Sequence, residues 1–522
     1  MKKTPRSIFS AWVLFCMVFA TSCTRTSDVN NDNPGKGQST LIKNVSILDG
    51  TGAPAFNGSV RIKGNKIVAV GDVVSADGDI IIDGDGKVLA PGFIDTHSHH
   101  NRDLEKSPEV SAAISQGITT IVVGNDGSSQ QTLADLKQML KDKPPNVNVA
   151  SYTGHGTIRS QVMGGNYKRE ASIAEIEAMA TLLRQELKNG SLGLSTGLEY
   201  DPGIYSTTDE VIALAKVSAS EGGRYISHMR SEDRYFNDAL EELISIGREA
   251  EVPVQISHLK LAEVDLWGQA SRVLQRLQQA RQAGIDVTAD IYPYTYWQST
   301  LTVLLPERDF YDLDAARYAL EHLAPADGLT LVNYTPDPEL EGKTVAEIAF
   351  ARGASNEETY LKLIRDAYEG IGDEEMAAME ESPEGVIGVS MSEEDIEVLI
   401  AWPHSNICSD GYGDGHPRGH GAFPRAIRKY VREQKILSLE EMIRKMTSLS
   451  AAHVGINNRG LIQAGYMADL VLFDPLTITD RATIENPRQL SEGISVVWVN
   501  GDRVWGDGQA MSARPGVLVG RE

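Results

Sequence analysis

Eight short apolar runs, each ending on polar residues, constrain most strongly what this chain can fold into. In order they are GFIDTHSH, TTIVVGND, VNVASYTGH, LGLSTGLEY, YISHMR, VPVQISH, DVTADIYPY and SNICSD. Amphipathic helical stretches separate these runs, which is typical of βα units on a parallel sheet. Eight such units predict an α/β fold of the (β/α)8 TIM-barrel type, whose functional site lies where the carboxyl ends of the strands meet their loops.

Two regions of short Val- and Ile-rich runs flank this middle section, which spans 90–454. The first, at 41–89, contains LIKNVSILDG, and the second, at 455–522, contains ADLVLFDP and GISVVWVNGDRVW. Alternating apolar residues with Gly and Asp at the turns predict a small β-sandwich domain built from both ends of the chain. The seventh and eighth strands are too far apart for a simple connection, so we expect an insertion around 301–395.

The N-terminus has the layout of an export signal. A basic start precedes an apolar run from Ile8 to Ala20, which is too short to span a bilayer. The small residues before Cys23 resemble a bacterial lipobox, in which the cysteine becomes the lipidated first residue; an ordinary signal peptide is the alternative. We expect a signal peptide at 1–22, a flexible tether at 23–40 and a membrane-anchored lipoprotein, in the periplasm or at the cell surface, whose only membrane contact is the lipid on Cys23.

The composition excludes other classes of protein. The formal net charge is -23, so the average field repels nucleic acids and anionic lipids, and we expect no nucleic-acid partner. Of the three cysteines, Cys16 and Cys23 precede the folded part of the chain, which leaves Cys408 alone. An internal disulfide is therefore not expected, and stability must come from burial of apolar surface.

Four histidines stand at the ends of predicted strands. His97 and His99 follow the first strand, and residues two apart on a strand point the same way, so both can face one metal ion. His228 and His258 end the fifth and sixth strands. The alternative is that the four are unrelated core histidines, each satisfied by hydrogen bonds. Their order along the strands favours a divalent metal site at the barrel mouth.

Asp410 ends the eighth strand in SNICSDG and is the candidate catalytic residue. A carboxylate there could hold a water at the metal, take its proton and pass it to a leaving nitrogen. The alternative is a loop aspartate that caps a turn before Gly411. Imidazole and carboxylate ligands suit zinc best, as one or two ions, although manganese, iron or cobalt would also fit.

Three further residues are candidates for substrate binding. Arg418 follows Asp410 in the Gly-rich HPRGHGAFPR, and its guanidinium could grip a free carboxylate through two parallel hydrogen bonds. Tyr292 and Ser299, in IYPYTYWQST after the seventh strand, could line the same pocket. The alternatives are a surface salt bridge for Arg418 and packing at the barrel rim for the other two.

GFIDTHSH, ISHMR, QISHLK, SDG and HPRGHGAFPR, taken in order, resemble the amidohydrolase superfamily and most closely its D-aminoacylase (N-acyl-D-amino-acid deacylase) branch. The resemblance runs from about Leu41 to Val519. It implies a metal-dependent barrel that hydrolyses the amide of an N-acyl-D-amino acid, a small substrate with a free carboxylate.

The resemblance also implies roles for individual residues. The metal ligands would be His97, His99, His228 and His258, and Asp410 would be the catalytic acid/base. Arg418 would bind the substrate carboxylate, with Tyr292 and Ser299 beside it. The TYWQ stretch is one residue longer than the family pattern, which puts Ser299 in doubt. His228 or His155, the latter in TGHG after the third strand, could donate a hydrogen bond to the developing oxyanion.

One position departs from the family pattern. In D-aminoacylases the second strand ends on a cysteine that ligates the metal, and here TTIVVGND places Asp126 there. Glu199, after the fourth strand, lies where other amidohydrolases supply a bridging carboxylate, and we favour it over Asp126 as the bridging ligand. The alternatives are a rim salt bridge for Glu199 and a turn residue for Asp126. An oxygen ligand in place of a thiolate makes a two-metal site more plausible.

Other functions remain open at this point. A related enzyme could be a dipeptidase acting on D-residue-containing or isoaspartyl dipeptides, or a cyclic-amide hydrolase of the hydantoinase type. A cyclic substrate needs no carboxylate clamp, so an essential Arg418 would argue against the last. A surface lipoprotein that only binds a ligand is the non-enzymatic alternative. The sequence indicates neither the accepted side chain nor the oligomeric state.

Overall fold

The computed structural model describes residues 38–379, 382–412 and 415–521. The strands, in chain order, are β1 (Ser39–Ile47), β2 (Phe56–Lys63), β3 (Lys66–Gly71), β4 (Ile80–Asp83), β5 (Val88–Pro91), β6 (Phe93–Asp95), β7 (Ile118–Val123), β8 (Asn148–Ser151), β9 (Thr153–Gly154), β10 (Gly193–Gly197), β11 (Arg224–His228), β12 (Val254–Ile256), β13 (Val287–Ile291), β14 (Tyr296–Ser299), β15 (Leu329–Tyr334), β16 (Glu384–Val389), β17 (Ser405–Ile407), β18 (Leu470–Phe473), β19 (Ile494–Val499), β20 (Asp502–Gly506) and β21 (Gln509–Ala510).

The α-helices lie between these strands and after β17. In chain order they are α1 (Ser111–Ile114), α2 (Leu133–Asp142), α3 (His155–Met163), α4 (Ile173–Lys188), α5 (Thr208–Ser220), α6 (Phe236–Ala250), α7 (Ala270–Gln282), α8 (Leu313–Tyr318), α9 (Val345–Arg352), α10 (Asn356–Ala367), α11 (Asp373–Ala378), α12 (Glu393–Ala401), α13 (Arg418–Ala426), α14 (Leu439–Met446) and α15 (Ser448–Val454). Short 3-10 and π turns connect several of them.

Helix ends follow the sequence closely. Ser172, at the start of α4, accepts a hydrogen bond from the backbone of Glu175, whose side chain reaches back to the Ser172 backbone. This reciprocal pair satisfies two N–H groups that a helix end leaves without partners.

Along α6, Leu240, Leu243 and Ile244 recur at helical spacing and are buried against the barrel. The three-to-four residue apolar period thus fixes which face packs inward.

The predicted TIM barrel is confirmed. Pairing is parallel from β6 to β7 to β8, and from β9 through β10, β11, β12 and β13 to β17. Tyr152 separates β8 from β9, and Leu192 donates to the Ser151 carbonyl at 2.9 Å, so β8 and β9 act as one strand beside β10. The eight resulting strands are the eight apolar runs of the sequence, in the same order.

The first and eighth strands close the barrel at the level of its polar ends. The backbone N–H of Asp410 donates to the His97 carbonyl at 2.8 Å, and that of His99 donates to the Gly411 carbonyl at 2.9 Å. Beneath this contact the Asp95 carboxylate accepts from the backbone N–H and the hydroxyl of Ser409, at 2.8 and 2.5 Å. Barrel closure therefore brings two distant segments into hydrogen-bond contact.

The β domain contains strands from both ends of the chain. Its nine strands form one sheet in the order β21-β20-β19-β18-β5-β1-β2-β3, with β4 beside β1. Side chains from the two halves share one apolar cluster, for example Ile42 and Val60 with Leu470 and Trp498. Because neither half could bury this surface alone, the domain needs both termini.

An insertion lies between β13 and α12. Strands β14, β16 and β15 form a small antiparallel sheet, and helices α8 to α11 pack around it. It has an apolar cluster of its own, which includes Leu301, Leu331 and Ile364. The strands begin at Tyr296, a few residues before the expected insertion.

The expected signal peptide at 1–22 and most of the tether at 23–40 lie outside the described residues. β1 begins at Ser39, two residues before the expected start of the β domain. Among the residues that the structure describes, no helix is both long enough and apolar enough to cross a membrane. The domain boundaries 41–89, 90–454 and 455–522 remain predictions.

Candidate metal centre and substrate cavity

A cavity of about 710 Å³ opens at the carboxyl ends of the barrel strands. Loops after several strands line it on the barrel side, and residues of the insertion line it on the other side. Of the ten predicted site residues, eight line it: His99, Glu199, His228, His258, Tyr292, Ser299, Asp410 and Arg418. Asp126 lines it as well. Barrel topology therefore collects residues that are more than 300 positions apart in sequence.

His97 and His99 form one pair of candidate ligands. They follow β6 directly, and closure of the barrel holds their backbone against Asp410 and Gly411. The Nε2 atoms of His97 and His99 lie 3.1 and 3.2 Å from Oδ2 of Asp126. The same two atoms lie 3.5 and 3.4 Å from Oδ1 of Asp410. Both imidazoles therefore face one point between two carboxylates, as the two-residue spacing predicts.

His228 and His258 form the second pair. His228 is the last residue of β11, and His258 comes two residues after β12. Nδ1 of His228 lies 3.1 Å from Nε2 of His258, and that Nε2 lies 3.5 Å from Oδ1 of Asp126. The two imidazoles thus converge on the other oxygen of the same carboxylate.

Asp126 stands between the two pairs. Its Oδ2 faces His97 and His99, its Oδ1 faces His258, and Oδ1 is buried without a hydrogen-bond partner among the described residues. A buried carboxylate oxygen without a donor is costly unless a cation or water binds it. Its position and its unsatisfied oxygen both fit a ligand shared by two metal ions.

The structure does not support the preference for Glu199 as the bridging ligand. Oε2 of Glu199 lies 2.8 Å from Nε2 of His228, on the side of the imidazole away from His258. Glu199 comes two residues after β10, and its carboxylate lies on the Nε2 side of the His228 ring. Asp126 follows β7 in a turn with φ of 53° and points inward. Tertiary geometry thus favours Asp126, which the sequence alone did not.

The electrostatics of the two carboxylates agree with this geometry. Burial and the nearby Asp233 and Glu232 raise the pKa of Glu199 well above its ordinary value. Burial also disfavours the charged form of Asp126, but His97 and His258 outweigh it and hold the pKa of Asp126 well below its ordinary value. The surroundings of the two carboxylates thus favour the charged form at Asp126 and disfavour it at Glu199.

The pKa values of the second pair of histidines are shifted in opposite directions. Burial, together with the adjacent His258, lowers the pKa of His228 to about 4. Burial acts in the same direction on His258, but Glu232 and Asp410 outweigh it and raise the pKa of His258 to about 10. A neutral His228 keeps a nitrogen lone pair available to a metal ion.

Three residues of this centre have left-handed backbone conformations. The φ angles are 53° at Asp126, 35° at His258 and 47° at Asp410. Such angles are uncommon outside glycine and need support from surrounding contacts. That support is visible, because the N–H of His258 donates to Asp290 at 2.6 Å and the N–H of Asp410 donates to the His97 carbonyl. Each strand end is thereby turned so that its side chain faces the cavity.

Arg418 begins α13 and lies beside Asp410. Its Nη1 is 2.6 Å from Oδ2 of Asp410, and its guanidinium carbon is 4.7 Å from the centre of the Tyr292 ring. Burial disfavours an ionised Asp410, but Arg418 and His258 hold its pKa well below the ordinary value. Nε of Arg418 and the hydroxyl of Tyr292 are buried without hydrogen-bond partners among the described residues. These free donors, beside the candidate acid/base, fit a substrate carboxylate.

Ser299 lines the cavity at the junction with the insertion. Its hydroxyl donates to the hydroxyl of Tyr200 at 3.4 Å, although the extra residue in TYWQ had put its position in doubt. The structure therefore places Ser299 within reach of the cavity, on β14.

His155 does not reach the cavity, which corrects the expectation that it could help to stabilise an oxyanion. It is the first residue of α3, and its Nε2 lies 2.8 Å from Oε1 of Glu210. Arg159 donates to the same carboxylate oxygen at 3.0 Å, and all three side chains are buried. His155 therefore takes part in a buried ion-pair network behind the third and fourth strands.

Two cavity residues were missed in the sequence analysis. Nζ of Lys260 donates to both carboxylate oxygens of Glu232, at 2.6 and 2.5 Å, and lies 2.7 Å from Nδ1 of His258. Glu232 Oε1 is itself 2.9 Å from Nδ1 of His258. Carboxylates in this position orient a histidine ligand. The spacing His258-Leu259-Lys260 carries the same signal as His97-Ser98-His99 and could have revealed the lysine.

The donor set fits divalent metal ions. Candidate ligand atoms of His97, His99, Asp126 and Asp410 lie within 4.8 Å of one another, and so do those of Asp126, His228 and His258. Candidate ligand atoms of Glu199, His228 and Glu232 form a third group of this kind, which shares His228 with the second. The first two groups share the Asp126 carboxylate, which is the arrangement of a two-metal centre. All ligand atoms are nitrogen or oxygen.

The family model described as "Amidohydrolase family" matches residues 81–322 and 404–505. The chain belongs to the amidohydrolase family. The unmatched stretch between the two segments falls mostly in the insertion. Among relatives of this amidohydrolase, a D-aminoacylase from Alcaligenes xylosoxydans xylosoxydans is 35% identical, covering 89% of this chain and 94% of the relative. An N-acyl-D-aspartate deacylase from the same organism is 36% identical, covering 92% and 94%.

Solved structures agree with this assignment. The crystal structure of an N-acyl-D-glutamate deacylase from Bordetella bronchiseptica, complexed with zinc and a phosphonate inhibitor, matches with a TM-score of 0.81. It is 32% identical, and the match covers 93% of this chain and 100% of the other. The resemblance to the D-aminoacylase branch is therefore confirmed, and a relative of the same fold holds metal.

The different positions of Asp126 and Glu199 lead to a prediction about metal content. Asp126→Ala removes a ligand from both groups, so we expect metal affinity to fall by more than the roughly 10- to 100-fold typical of outer residues. Glu199→Ala removes a member of a single group, that of Glu199, His228 and Glu232, so we expect the loss of metal affinity to be smaller and to stay within that range. The two variants are compared by elemental analysis, which gives the metal content per chain after dialysis against buffered metal. Greater loss in the Glu199 variant would restore Glu199 as the bridging ligand.

Proposed function

We propose that this amidohydrolase hydrolyses the amide bond of N-acyl-D-amino acids, releasing a carboxylate and a free D-amino acid. The observation that carries the proposal is the arrangement around Asp410. This carboxylate lies between the His97–His99 pair and Arg418, with contacts of 3.4–3.5 Å and 2.6 Å. An acid/base thus stands directly between a metal centre and a carboxylate clamp. The relatives named above support the substrate class.

The metal is proposed to be zinc, as one or two ions held by the histidines and Asp126. A divalent ion in such a site activates water and polarises the amide carbonyl. The ligand set is free of thiolate, unlike the cysteine pattern of D-aminoacylases, and manganese, iron or cobalt would also accept it.

Asp410 is proposed to move the proton. Its carboxylate is ionised, because Arg418 and His258 outweigh the effect of burial on its pKa. An ionised carboxylate can accept a proton from the attacking water and deliver it to the amide nitrogen as the C–N bond breaks. The water oxygen ends in the released carboxylate, and the amine leaves with the proton.

Arg418 is proposed to bind the carboxylate of the amino acid. Its stacking on Tyr292 fixes the plane of the guanidinium, and its Nε remains free to donate. A planar guanidinium can donate two parallel hydrogen bonds to a carboxylate. Anchoring this group would set which enantiomer directs its amide toward Asp410.

Replacing Asp410 with Asn tests the proton transfer. The substitution keeps the shape of the side chain but removes its basicity, so we expect metal content and fold to persist while turnover of N-acetyl-D-methionine falls by about 10²–10⁴-fold. Amine release from matched N-acetyl-D- and N-acetyl-L-methionine is the measurement. Retained activity in the variant would contradict the role of Asp410. If the wild type hydrolyses neither enantiomer, dipeptides and cyclic amides become the substrates to test.

Replacing Arg418 with Ala tests the clamp. We expect kcat/KM for N-acetyl-D-methionine to fall by roughly 10-fold or more, since a charge-assisted pair is lost. The matched control is N-acetyl-D-methioninamide, which has no carboxylate. The variant and the wild type should hydrolyse N-acetyl-D-methioninamide with similar kcat/KM. An equal loss on both substrates would show that Arg418 acts by supporting Asp410 instead.

We also propose that the protein is exported and anchored through a lipid on Cys23. The support is the order of a basic start, a short apolar run and small residues before that cysteine. Cys23→Ser should move the enzyme from the membrane fraction to the soluble fraction, because the acyl chains supply the anchor. Activity measured in both fractions, with Cys408→Ser as control, tests this. A membrane-bound Cys23 variant would contradict the anchor.

A further inference from the structure

The charges that line the substrate cavity are unequal. Eight described carboxylate residues line it, namely Asp126, Glu199, Asp201, Glu232, Asp233, Glu374, Glu384 and Asp410, against three residues of the lysine and arginine type, namely Arg102, Lys260 and Arg418. Burial raises the pKa of Glu199 well above its ordinary value and that of Glu384 to about 7, so the other six carry most of the negative charge. A cleft lined mainly by one sign of charge concentrates that field inside it. Any anionic part of a substrate therefore needs a specific cation to receive it.

Two of the three cations already have partners. Arg418 contacts Asp410 and is proposed to hold the amino-acid carboxylate. Lys260 directs its ammonium at Glu232, whose two carboxylate oxygens accept from it at 2.6 and 2.5 Å. Neither is available to a second carboxylate on the substrate.

Arg102 lies on the side of the cavity formed by the first and eighth strands. It comes from the turn after β6, and its guanidinium carbon lies 4.6 Å from the centre of the Tyr412 ring, after β17. The insertion also contacts the loop after β17, where the backbone N–H of His416 donates to Oε1 of Gln298 at 2.9 Å and Nε2 of His416 lies 2.8 Å from the Tyr296 carbonyl oxygen. Its contacts reach the loop after β10, where Arg308 donates to the Glu199 carbonyl at 2.7 Å.

The insertion side of the cavity has no cation among its described residues. From the insertion, the lining residues are Trp297, Gln298, Ser299, Thr300, Val303, Leu304, Asn333, Glu374, Met376, Met379, Ser382, Glu384 and Gly385. Thioether, aliphatic and aromatic groups lie there beside hydroxyls and amides, and the two acidic residues are Glu374 and the buried Glu384, whose pKa burial raises to about 7. This surface suits a side chain without negative charge.

Glu374 is held at the edge of this surface. It belongs to α11, which Asp373 ties to the loop after α3 through a 2.6 Å contact with Lys168. The carboxylate packs over Gly165, where a Cβ would lie 2.7 Å from Cδ of Glu374. Helix α11 thus bridges the insertion and the barrel across the cavity, with Glu374, Met376 and Met379 facing it.

We propose that this enzyme selects N-acyl-D-amino acids with uncharged side chains and rejects those with a second carboxylate, such as N-acyl-D-aspartate and N-acyl-D-glutamate. The inference rests on the proposed function and specifies its substrate class. Relatives with about equal identity include a D-aminoacylase and an N-acyl-D-aspartate deacylase, so overall similarity does not decide between them. The cavity distinguishes the two substrate classes, because its insertion side offers carboxylates where an acidic substrate side chain would need a cation.

The experiment compares N-acetyl-D-glutamine with N-acetyl-D-glutamate, which have nearly the same shape and differ in charge. With the wild-type holoenzyme, we expect kcat/KM to be roughly tenfold or more higher for the glutamine substrate, because like charges oppose binding. An equal or higher kcat/KM for the glutamate substrate would overturn the inference. Failure to hydrolyse N-acetyl-D-methionine, the glutamine substrate or the glutamate substrate would instead overturn the proposed function, and the inference with it.

A pair of variants locates the effect. Glu374→Gln should raise kcat/KM for the glutamate substrate severalfold and leave the glutamine substrate nearly unchanged. Glu375→Gln is the matched control, because Glu375 lies on the same helix, makes the same change in net charge and does not line the cavity. Equal effects of the two variants would overturn the role of Glu374. A selective loss on the glutamate substrate in Arg102→Gln would show that Arg102 receives the side-chain carboxylate, which would also overturn the inference.

Discussion

The carboxylate of Asp126 is the group on which the rest of the site depends. It offers one oxygen to His97 and His99 and the other to His258, so it belongs to both of the candidate ligand groups that contain these histidines. The candidate ligands of this centre supply nitrogen and oxygen atoms only.

This centre is held in place by contacts that lie below it. Asp95 binds Ser409, Asp290 binds the backbone of His258, and the first and eighth strands meet at His97 and Asp410. These bonds hold Asp410 and His258 in left-handed backbone conformations, which free chains seldom adopt. Strain at the functional residues is thus balanced by hydrogen bonds within the closed barrel, where the backbone cannot relax. The insertion has its own apolar core and can vary its cavity-facing residues without disturbing this framework.

Much of this organisation could be predicted from the sequence. The eight strands could be identified because each is a short apolar run that ends on polar residues, and parallel strands must present those ends together. His97, His99, His228, His258, Asp410 and Arg418 follow from the same rule, since strand ends and their loops are where a barrel places its chemistry. The need for both termini in one β domain was also visible, because neither set of strands could bury its apolar face alone.

Other features depended on the tertiary structure. The sequence presented Asp126 and Glu199 as similar carboxylates at strand ends, and only the turn geometry and the distances decided that Asp126 faces both histidine pairs. His155 also stands at a strand end, yet the start of α3 turns it toward Glu210 and away from the cavity. The cavity charges depend on loops and an insertion whose side chains meet only after folding. Sequence thus determined which residues are available at the barrel mouth, whereas side-chain direction and pairing were decided by backbone angles and contacts between distant segments.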